Sequence, residues 1–450
     1  MQGEWPAAGV SSVRRRRGVP WVWWGLAAVL TTVSALTKLP CLRGGADTDR
    51  LATTQCYSDI PLFYVGRGLA ADFGWFGHLL PGYRDLEYPP VVNLFIEASA
   101  HLTHLVRGIP QSELRDRRML TEAGTYDLPG MAAEERTFFL LSCAGLLVAV
   151  LVALAAAWRA GWTVGDRLSW VAVAPLVVLT VTLNWDVVAL AFAVLALVAW
   201  QRRQPALLGT WVALGTAAKL FPLVLLAAAV ILLARPGSRR ALAPVLTSFV
   251  VVTALANAPL LLSDRDAWSE FWTSNADRPS YFGSAWLALR MVGHPVGAET
   301  LSLVLAAGML LTWLALAALT WTRRIEPTLA ELSLVFLLVF FALGKVYSPQ
   351  YSLWVVLGLL VVTRSHRLVL LVAAAETWHY VATWLYIRGM TTPEQGIDRT
   401  YWSSIALRLA AEGLVVVLVL LRARRRAAEA RGASPAPEPP TATDPVSRAR

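Results

Sequence analysis

Apolar runs about 20 residues long recur along this chain, and short blocks of arginine separate them. A helical run of that length crosses a hydrocarbon core of roughly 30 Å. Backbone polar groups in lipid must be satisfied within the segment, and continuous apolar runs lack the alternation of a barrel strand. Only 16% of the 450 residues are charged, whereas a soluble domain carries about 25%. The runs therefore predict an all-α, polytopic membrane protein.

The arginine blocks orient these runs through the positive-inside rule. Four arginines at 14–17 precede the first run and place the N-terminus in the cytoplasm, and no small-residue cleavage site follows that run. We expect a basic cytoplasmic segment at 1–18, a transmembrane domain at 19–425 and a disordered cytoplasmic tail at 426–450. The twelve predicted spans are 19–39, 137–158, two within 168–200, two within 205–234, 241–262, 300–321, 328–343, 352–363, 368–387 and 402–421.

The longest polar interval, 40–136, follows the first span and is predicted to lie outside the cell. Within it, residues 91–106 are apolar but include Glu97 and two histidines. This stretch is short for a span, so we expect a re-entrant or interfacial helix. Counting it as a span would move every later arginine block to the other side of the membrane.

The net charge of +10 does not predict nucleic-acid binding, because the arginines stand in short blocks beside apolar runs. Three cysteines are too few for a disulfide scaffold or a zinc site of the usual kind. Cys41 and Cys56 share the predicted outer loop, where they could form one disulfide or remain free thiols. His101 and His104 lack a clear third ligand, so we interpret them as interfacial.

Under this topology the polar residues at membrane level collect on the outer side, and such residues are usually functional. Cations there can hold a phosphate, while a carboxylate can accept a proton from an attacking alcohol. This chemistry suits sugar transfer from a polyprenyl-phosphate donor, with Asp59 as the general base. The candidates for donor phosphate and sugar binding are Arg278, Lys219, Lys345, Asn184, Asp186, Gln350 and Tyr351. Those for acceptor or supporting contacts are Glu87, Tyr88, Asn275, Glu376 and His379.

Each of these candidates also has a purely structural interpretation. Carboxylates and amides cap helices, lysines snorkel to an interface, and opposite charges pair locally. The alternatives are a helix cap for Asp59 and for Asn184, snorkelling for Lys219, an ion pair of Glu87 with Arg84, neutralisation of Arg278 by Asp277, a helix turn for 345–351, and a Glu376–His379 pair.

Several short motifs in a characteristic order resemble actinobacterial membrane proteins of glycosyltransferase family 87. That family is similar to polyprenyl-phosphomannose-dependent α-mannosyltransferases of the GT-C class. The motifs are Cys56-Tyr57-Ser58-Asp59-Ile60-Pro61, Gly66-Arg67-Gly68-Leu69, Glu87-Tyr88-Pro89-Pro90, Asn184-Trp185-Asp186, Ala218-Lys219-Leu220-Phe221-Pro222 and Lys345-Val346-Tyr347-Ser348-Pro349-Gln350-Tyr351.

The resemblance implies a GT-C-type bundle of about twelve helices in the plasma membrane, with its active site in the first extracytoplasmic loop. It implies that Asp59 is the catalytic acid–base residue. It also implies inverting transfer of a hexose, expected to be mannose, from a polyprenyl-phosphate donor to a lipid or cell-envelope glycan. Two departures are a single aspartate instead of Asp-Xaa-Asp, and Lys345 after Gly344, where relatives carry Asn. A divalent metal is left open, and the alternative function is a transporter or flippase of lipid-linked intermediates.

Overall fold

The structure is a computed structural model, and it describes residues 21–42, 54–75, 83, 86–162, 167–394 and 396–432. In the described part every regular element is a helix, which confirms the predicted all-α fold. The α-helices are α1 (Trp21–Lys38), α2 (Asp59–Gly66), α3 (Pro90–Arg107), α4 (Gln111–Asp116), α5 (Glu122–Tyr126), α6 (Met131–Arg159), α7 (Arg167–Thr180), α8 (Asp186–Gln201), α9 (Pro205–Ala218), α10 (Leu223–Leu233), α11 (Leu242–Ser263), α12 (Arg265–Asp277), α13 (Ala285–Met291), α14 (Ala298–Trp321), α15 (Leu329–Leu343), α16 (Tyr351–Val362), α17 (His366–Ile387) and α18 (Arg399–Gly432).

Twelve of these helices coincide with the twelve predicted spans. Among the described residues, α1, α6, α11, α14, α17 and α18 are long and apolar enough to cross a membrane. The helices α7, α8, α9, α10, α15 and α16 are apolar but shorter. The prediction of a polytopic helical membrane protein is therefore confirmed, including the division of both long apolar stretches into two helices.

The short helices meet in pairs at irregular turns that lie inside the bundle. Between α9 and α10, Lys219 is extended with φ −161° and ψ 145°, and Pro222 has no N–H with which to continue a helix. Between α7 and α8, the turn contains the fully buried Trp185. Irregular backbone inside a membrane protein must be buried in protein or must line a cavity. These two turns are therefore candidate positions for functional polar side chains.

The segment between α1 and α6 folds onto the bundle through α2 and α3. The helix predicted at 91–106 is present as α3, which packs against α6, α9 and α11. A disulfide joins Cys41 to Cys56, with 5.8 Å between their Cα atoms, so the bridged alternative is the one observed. This disulfide ties the end of α1 to the chain that leads into α2.

The last helix extends beyond the boundary predicted at residue 426. It continues to Gly432 because residues 422–431 consist of Arg, Ala and Glu, which favour helix. Arg426 pairs with Glu331, and Arg431 donates to the carbonyl of Arg323 at 2.7 Å. The predicted basic N-terminus and the rest of the predicted tail lie outside the described residues.

Candidate active site

Asp59 is fixed at the start of α2, directly beside the turn between α7 and α8. Its backbone N–H donates to the carbonyl of Leu183 at 2.8 Å. Ser58 is the N-cap of α2 and also donates to the carbonyl of Thr182 at 2.8 Å. Because Ser58 caps the helix, the carboxylate of Asp59 is not used as a cap, and the structural alternative for this residue is wrong.

The carboxylate of Asp59 is partly buried and is approached by several charged groups. The hydroxyl of Tyr57 donates to Oδ1 at 2.7 Å. Burial raises the pKa of Asp59 to about 6, against the hydrogen bond from Tyr57 and the charge of Lys219, which lower it, while Asp186 and Glu87 raise it further. A carboxylate whose pKa lies near neutrality can both accept a proton at physiological pH and release it afterwards.

Lys219 and Asp186 form an ion pair next to Asp59. Asp186 also accepts a hydrogen bond of 3.0 Å from Nε1 of Trp354. The Nζ atom of Lys219 lies 5.1 Å from the ring centre of Tyr351 and 5.9 Å from that of Tyr88. Lys219 is thus enclosed and paired, rather than snorkelling to an interface.

We call Asp59, Tyr57, Asp186, Lys219 and Tyr88 the Asp59 cluster. Of the predicted residues, Asp59, Asp186, Lys219, Tyr88 and Tyr351 are brought together here. Asn184 lies two residues before α8, and its Oδ1 accepts the N–H of Asp186 at 3.0 Å. The N-cap of α8 is Trp185, so Asn184 is not the helix cap of its structural alternative. Its side-chain nitrogen is buried without a hydrogen-bond partner among the described residues.

Two arginines flank Glu87 at the edge of the Asp59 cluster. Glu87 forms an ion pair of 2.8 Å with Arg67, while Arg84 lies outside the described residues. Nη2 of Arg278 is 4.0 Å from Glu87, and the Arg278 side chain is 35% exposed. Arg278 is therefore only loosely paired, and its guanidinium is accessible from outside the protein. Arg67 was not among the predicted site residues, although it belongs to the motif Gly66-Arg67-Gly68-Leu69.

Lys345 and Asn275 support the backbone near the site instead of facing Asp59. Lys345 is buried and donates from Nζ to the carbonyl of Ala276 at 2.6 Å. Asn275 is exposed and donates to the carbonyl of Phe271 in its own helix at 2.6 Å. Gln350 is buried at the beginning of α16. The Lys345 ammonium is therefore directed to the end of α12. The roles of Lys345 and Gln350 in donor binding, and of Asn275 in acceptor or supporting contacts, stay predictions.

Glu376 and His379 belong to a second buried group of charges and do not pair with each other. Glu376 accepts a hydrogen bond of 2.8 Å from the hydroxyl of Tyr347, and Nδ1 of His379 shares one of 3.1 Å with Ser404. We call Arg408, Glu412, Glu376 and Tyr347 the Arg408 cluster. Arg408 and Glu412 were not predicted, although an ionisable pair inside the predicted span 402–421 was visible in the sequence.

An apolar groove lies beside the Asp59 cluster. It is bounded by the Tyr88-Pro89-Pro90 turn, the end of α9, and the helices α11 and α12, which contribute Trp268 and Trp272. The adjoining helix α11 exposes large apolar side chains, among them Leu255 and Leu262. Tyr88 separates the groove from Lys219. Within the described residues, no three His, Cys, Asp or Glu side chains are grouped so as to hold a metal ion.

Comparison with known proteins agrees with the sequence motifs. Residues 128–349 match the model of glycosyltransferase family 87. This segment contains Asp186, Lys219 and Arg278, while Asp59 precedes it. A search of curated proteins found no match. Over residues 128–349, just under half of the chain, the protein is similar to glycosyltransferase family 87, and the match indicates a membrane glycosyltransferase.

Proposed function

We propose that this protein transfers a hexose, in the first instance mannose, from a polyprenyl-phosphate donor to a lipid or cell-envelope glycan on the outer face of the plasma membrane. The observation that carries the proposal is the carboxylate of Asp59. Asp59 is only partly buried, its carboxylate is oriented by Tyr57 at 2.7 Å, and it has a pKa of about 6. Those are the properties of a general base that acts near neutral pH.

The reaction is a displacement at the anomeric carbon of the donor sugar. An acceptor hydroxyl attacks that carbon and gives its proton to Asp59, while the bond from the carbon to the phosphate oxygen breaks. The departing polyprenyl phosphate takes the electron pair of that bond. Fixed cations stabilise the charge that develops on it. Displacement in one step inverts the anomeric configuration, as the family resemblance implies.

Arg278 is the residue best placed to bind the donor phosphate. The Arg278 side chain is 35% exposed, and its Nη2 is as far as 4.0 Å from Glu87. It can therefore bind a ligand without giving up a close ion pair. Arginine can donate two parallel hydrogen bonds to a phosphate. Lys219 is already paired with Asp186, so we assign it the electrostatic role of balancing two neighbouring carboxylates, Asp186 and Asp59.

The apolar groove supports a lipid-linked substrate. It lies next to Tyr88 and is walled by Trp268, Phe271 and Trp272. A polyprenyl chain in this groove would place its phosphate at the Asp59 cluster. A nucleotide-linked sugar would have no use for an apolar groove beside the reacting atoms. The family assignment also favours glycosyl transfer over the alternative of a transporter or flippase.

The test compares purified wild-type protein with Asp59→Asn. Labelled polyprenyl-phosphomannose and a membrane lipid extract are supplied, and the transfer of label to the extract is followed. Removing a general base reduces the rate by about 10²–10⁴-fold. The matched control is Asp72→Asn in the same segment. Asp72 is partly buried, and its carboxylate accepts a hydrogen bond of 2.8 Å from the side chain of Gln111. This substitution should leave transfer unchanged.

Equal transfer by wild type and Asp59→Asn would contradict the assignment of Asp59. If the wild type transfers nothing from polyprenyl-phosphomannose, polyprenyl phosphates carrying other hexoses are offered next. Transfer from one of those would correct the sugar and preserve the mechanism. Failure with every polyprenyl-phosphate hexose would overturn the proposed donor class.

A further inference from the structure

Arg408 is fully buried on α18, and its contacts exceed what neutralising its charge requires. Nη1 donates to both carboxylate oxygens of Glu412, one turn further along the same helix, at 2.8 Å each. Nη2 instead donates to the carbonyl of Gly283 at 2.9 Å, and the guanidinium lies 3.6 Å from the ring centre of Tyr347. A buried cation needs a partner, and Glu412 is that partner. The contacts to Gly283 and Tyr347 are therefore not needed for neutralisation. They connect α18 to the two segments that contain those residues.

Those two segments, 278–284 and 344–350, are joined by backbone hydrogen bonds. They follow α12 and α15 respectively, and each lies immediately before a helix. Because their backbones are paired, moving one segment moves the other. The bonds run from the N–H of Tyr281 to the carbonyl of Lys345 and from the N–H of Tyr347 to the carbonyl of Phe282, each 2.8 Å long.

We call the two hydrogen-bonded segments, 278–284 and 344–350, the paired unit. Gly283 is the residue of this unit that α18 binds through its backbone. Its carbonyl accepts from Arg408, and its N–H donates to the hydroxyl of Tyr401 at 2.7 Å, so both polar groups are bound by one helix. Its φ of +68° favours glycine, and a Cβ atom there would collide with the carbonyl of Tyr347. The backbone and the helix are thus in direct contact with no side chain between them.

The ends of the paired unit reach the Asp59 cluster. At one end, Arg278 approaches Glu87. At the other end, the ring of Tyr347 lies 5.7 Å from that of Tyr351, whose ring is 5.1 Å from Nζ of Lys219. A continuous series of contacts therefore leads from Arg408 to both sides of the candidate active site.

We propose that Arg408 is a positioning residue: by binding Gly283 and the ring of Tyr347, it sets where Arg278 and Tyr351 stand relative to the Asp59 cluster. Glu376 assists, because it accepts from the Tyr347 hydroxyl and fixes the direction of the ring on which the guanidinium lies. The positioning is a property of the fold, whereas its effect on transfer rests on the proposed function.

The first experiment measures the position of the segment without using activity. Ser280 is buried and is replaced by cysteine, the residue closest to it in size. The native cysteines are the Cys41–Cys56 disulfide and the buried Cys143, so the new thiol is the main target of a polar maleimide. Arg408→Lys keeps the positive charge but loses the guanidinium group, whose two terminal nitrogens bind Glu412 and Gly283 at the same time. We expect it to speed labelling at position 280 about tenfold, as the loss of one charged hydrogen bond would allow.

The matched control lies on the same helix. Arg426 pairs with Glu331, far along α18 from Gly283, and Arg426→Lys should leave labelling at position 280 unchanged. Glu412→Gln provides a second variant that keeps the side-chain volume and loosens Arg408, and it decides the matter if Arg408→Lys does not fold. Labelling at the wild-type rate in the folded variants would overturn the positioning role.

The second experiment measures transfer from polyprenyl-phosphomannose by the same variants. Misplacement of binding groups by about 1 Å can cost as much as 10²-fold, so Arg408→Lys should lose transfer while Arg426→Lys keeps it. Faster labelling together with lower transfer supports both proposals. Faster labelling in a protein whose wild type transfers no sugar supports the positioning and contradicts the proposed function. Faster labelling with wild-type transfer would show that the segment moves without consequence, and it would overturn the link to the active site.

Discussion

The Asp59 cluster and the Arg408 cluster contain the same kinds of residue in two different states. In the Arg408 cluster the guanidinium uses both terminal nitrogens on Glu412 and Gly283, and it has no exposed surface. In the Asp59 cluster the Lys219 ammonium is bound to Asp186, and Asp59 is left with a phenol as its hydrogen-bond partner among the described residues. Ionisable groups inside a membrane protein are costly in both places. What separates a structural group from a reactive one here is hydrogen-bonding capacity that remains unused and exposed.

The largest expected effect comes from breaking the pair that makes the Asp59 cluster possible. Lys219→Met leaves Asp186 buried without its cation, which should cost about 3–5 kcal/mol of unfolding free energy. The double variant Lys219→Met/Asp186→Asn removes the unpaired charge and should recover most of that loss. Both are measured by denaturant titration of purified protein in micelles.

Arg235, which pairs with Glu326 at 3.1 Å where both side chains are partly exposed, serves as the control for this pair. Arg235→Met should cost less than Lys219→Met, because this pair is partly exposed to solvent and the only further loss within the described residues is the hydrogen bond of 2.8 Å from Arg235 to the carbonyl of Thr320. A Lys219→Met protein as stable as the wild type would mean that Asp186 is not buried in the charged form, and the contrast between the two clusters would fail.

The pH dependence of transfer tests the reactive member directly. Asp59 must be ionised to act as a base, and its pKa is raised to about 6 by burial. The rate should therefore be constant above neutral pH and fall about tenfold by pH 5 relative to its plateau. Tyr57→Phe removes a hydrogen bond that lowers this pKa, so the whole profile should move to higher pH. An unchanged profile in Tyr57→Phe would contradict the assignment of the base.

The stability of the fold should respond to pH in the opposite sense. The folded protein binds the proton of Asp59 more tightly than the unfolded chain, so this residue's contribution to stability is present at low pH and is lost as the pH rises through about 6. Asp59→Asn removes that loss. The variant should thus be inactive yet unfold no more easily than the wild type above pH 6, which separates a catalytic role from a structural one.

Much of the fold could be predicted because the insertion of a helix into a membrane depends on the hydropathy and charge of that segment alone. Hydropathy and arginine blocks located all twelve apolar helices, including the breaks at 184–186 and 219–222. The extension of α18 to Gly432 was not predicted, because solvation of a polar tail and the helix propensity of Ala, Arg and Glu oppose each other. The orientation of the termini and the side of the membrane that bears the site stay predictions.

The site could be predicted only as a set of residues, without their partners. The motifs identified Asp59, Asp186 and Lys219, but the pairing of the last two joins turns that are 33 residues apart. For the same reason the contact of Glu376 with Tyr347 could not be predicted, because it depends on how α17 packs. Which carboxylate remains available is decided by tertiary contacts, and local sequence does not contain them.

The smallest expected effect concerns Glu87, at the border of the Asp59 cluster. Glu87 pairs with Arg67, and the Glu87 side chain is 32% exposed. Glu87→Gln should therefore change the unfolding free energy by no more than about 1 kcal/mol. The substitution also removes the anion 4.0 Å from Arg278, which leaves that guanidinium freer to bind a phosphate. We therefore expect the KM for polyprenyl-phosphomannose to fall by up to about fivefold while kcat stays within twofold of the wild type, about what 1 kcal/mol allows. A loss of kcat comparable to that of Asp59→Asn would instead make Glu87 a second catalytic carboxylate, and the site would contain two reactive acids where the contacts indicate one.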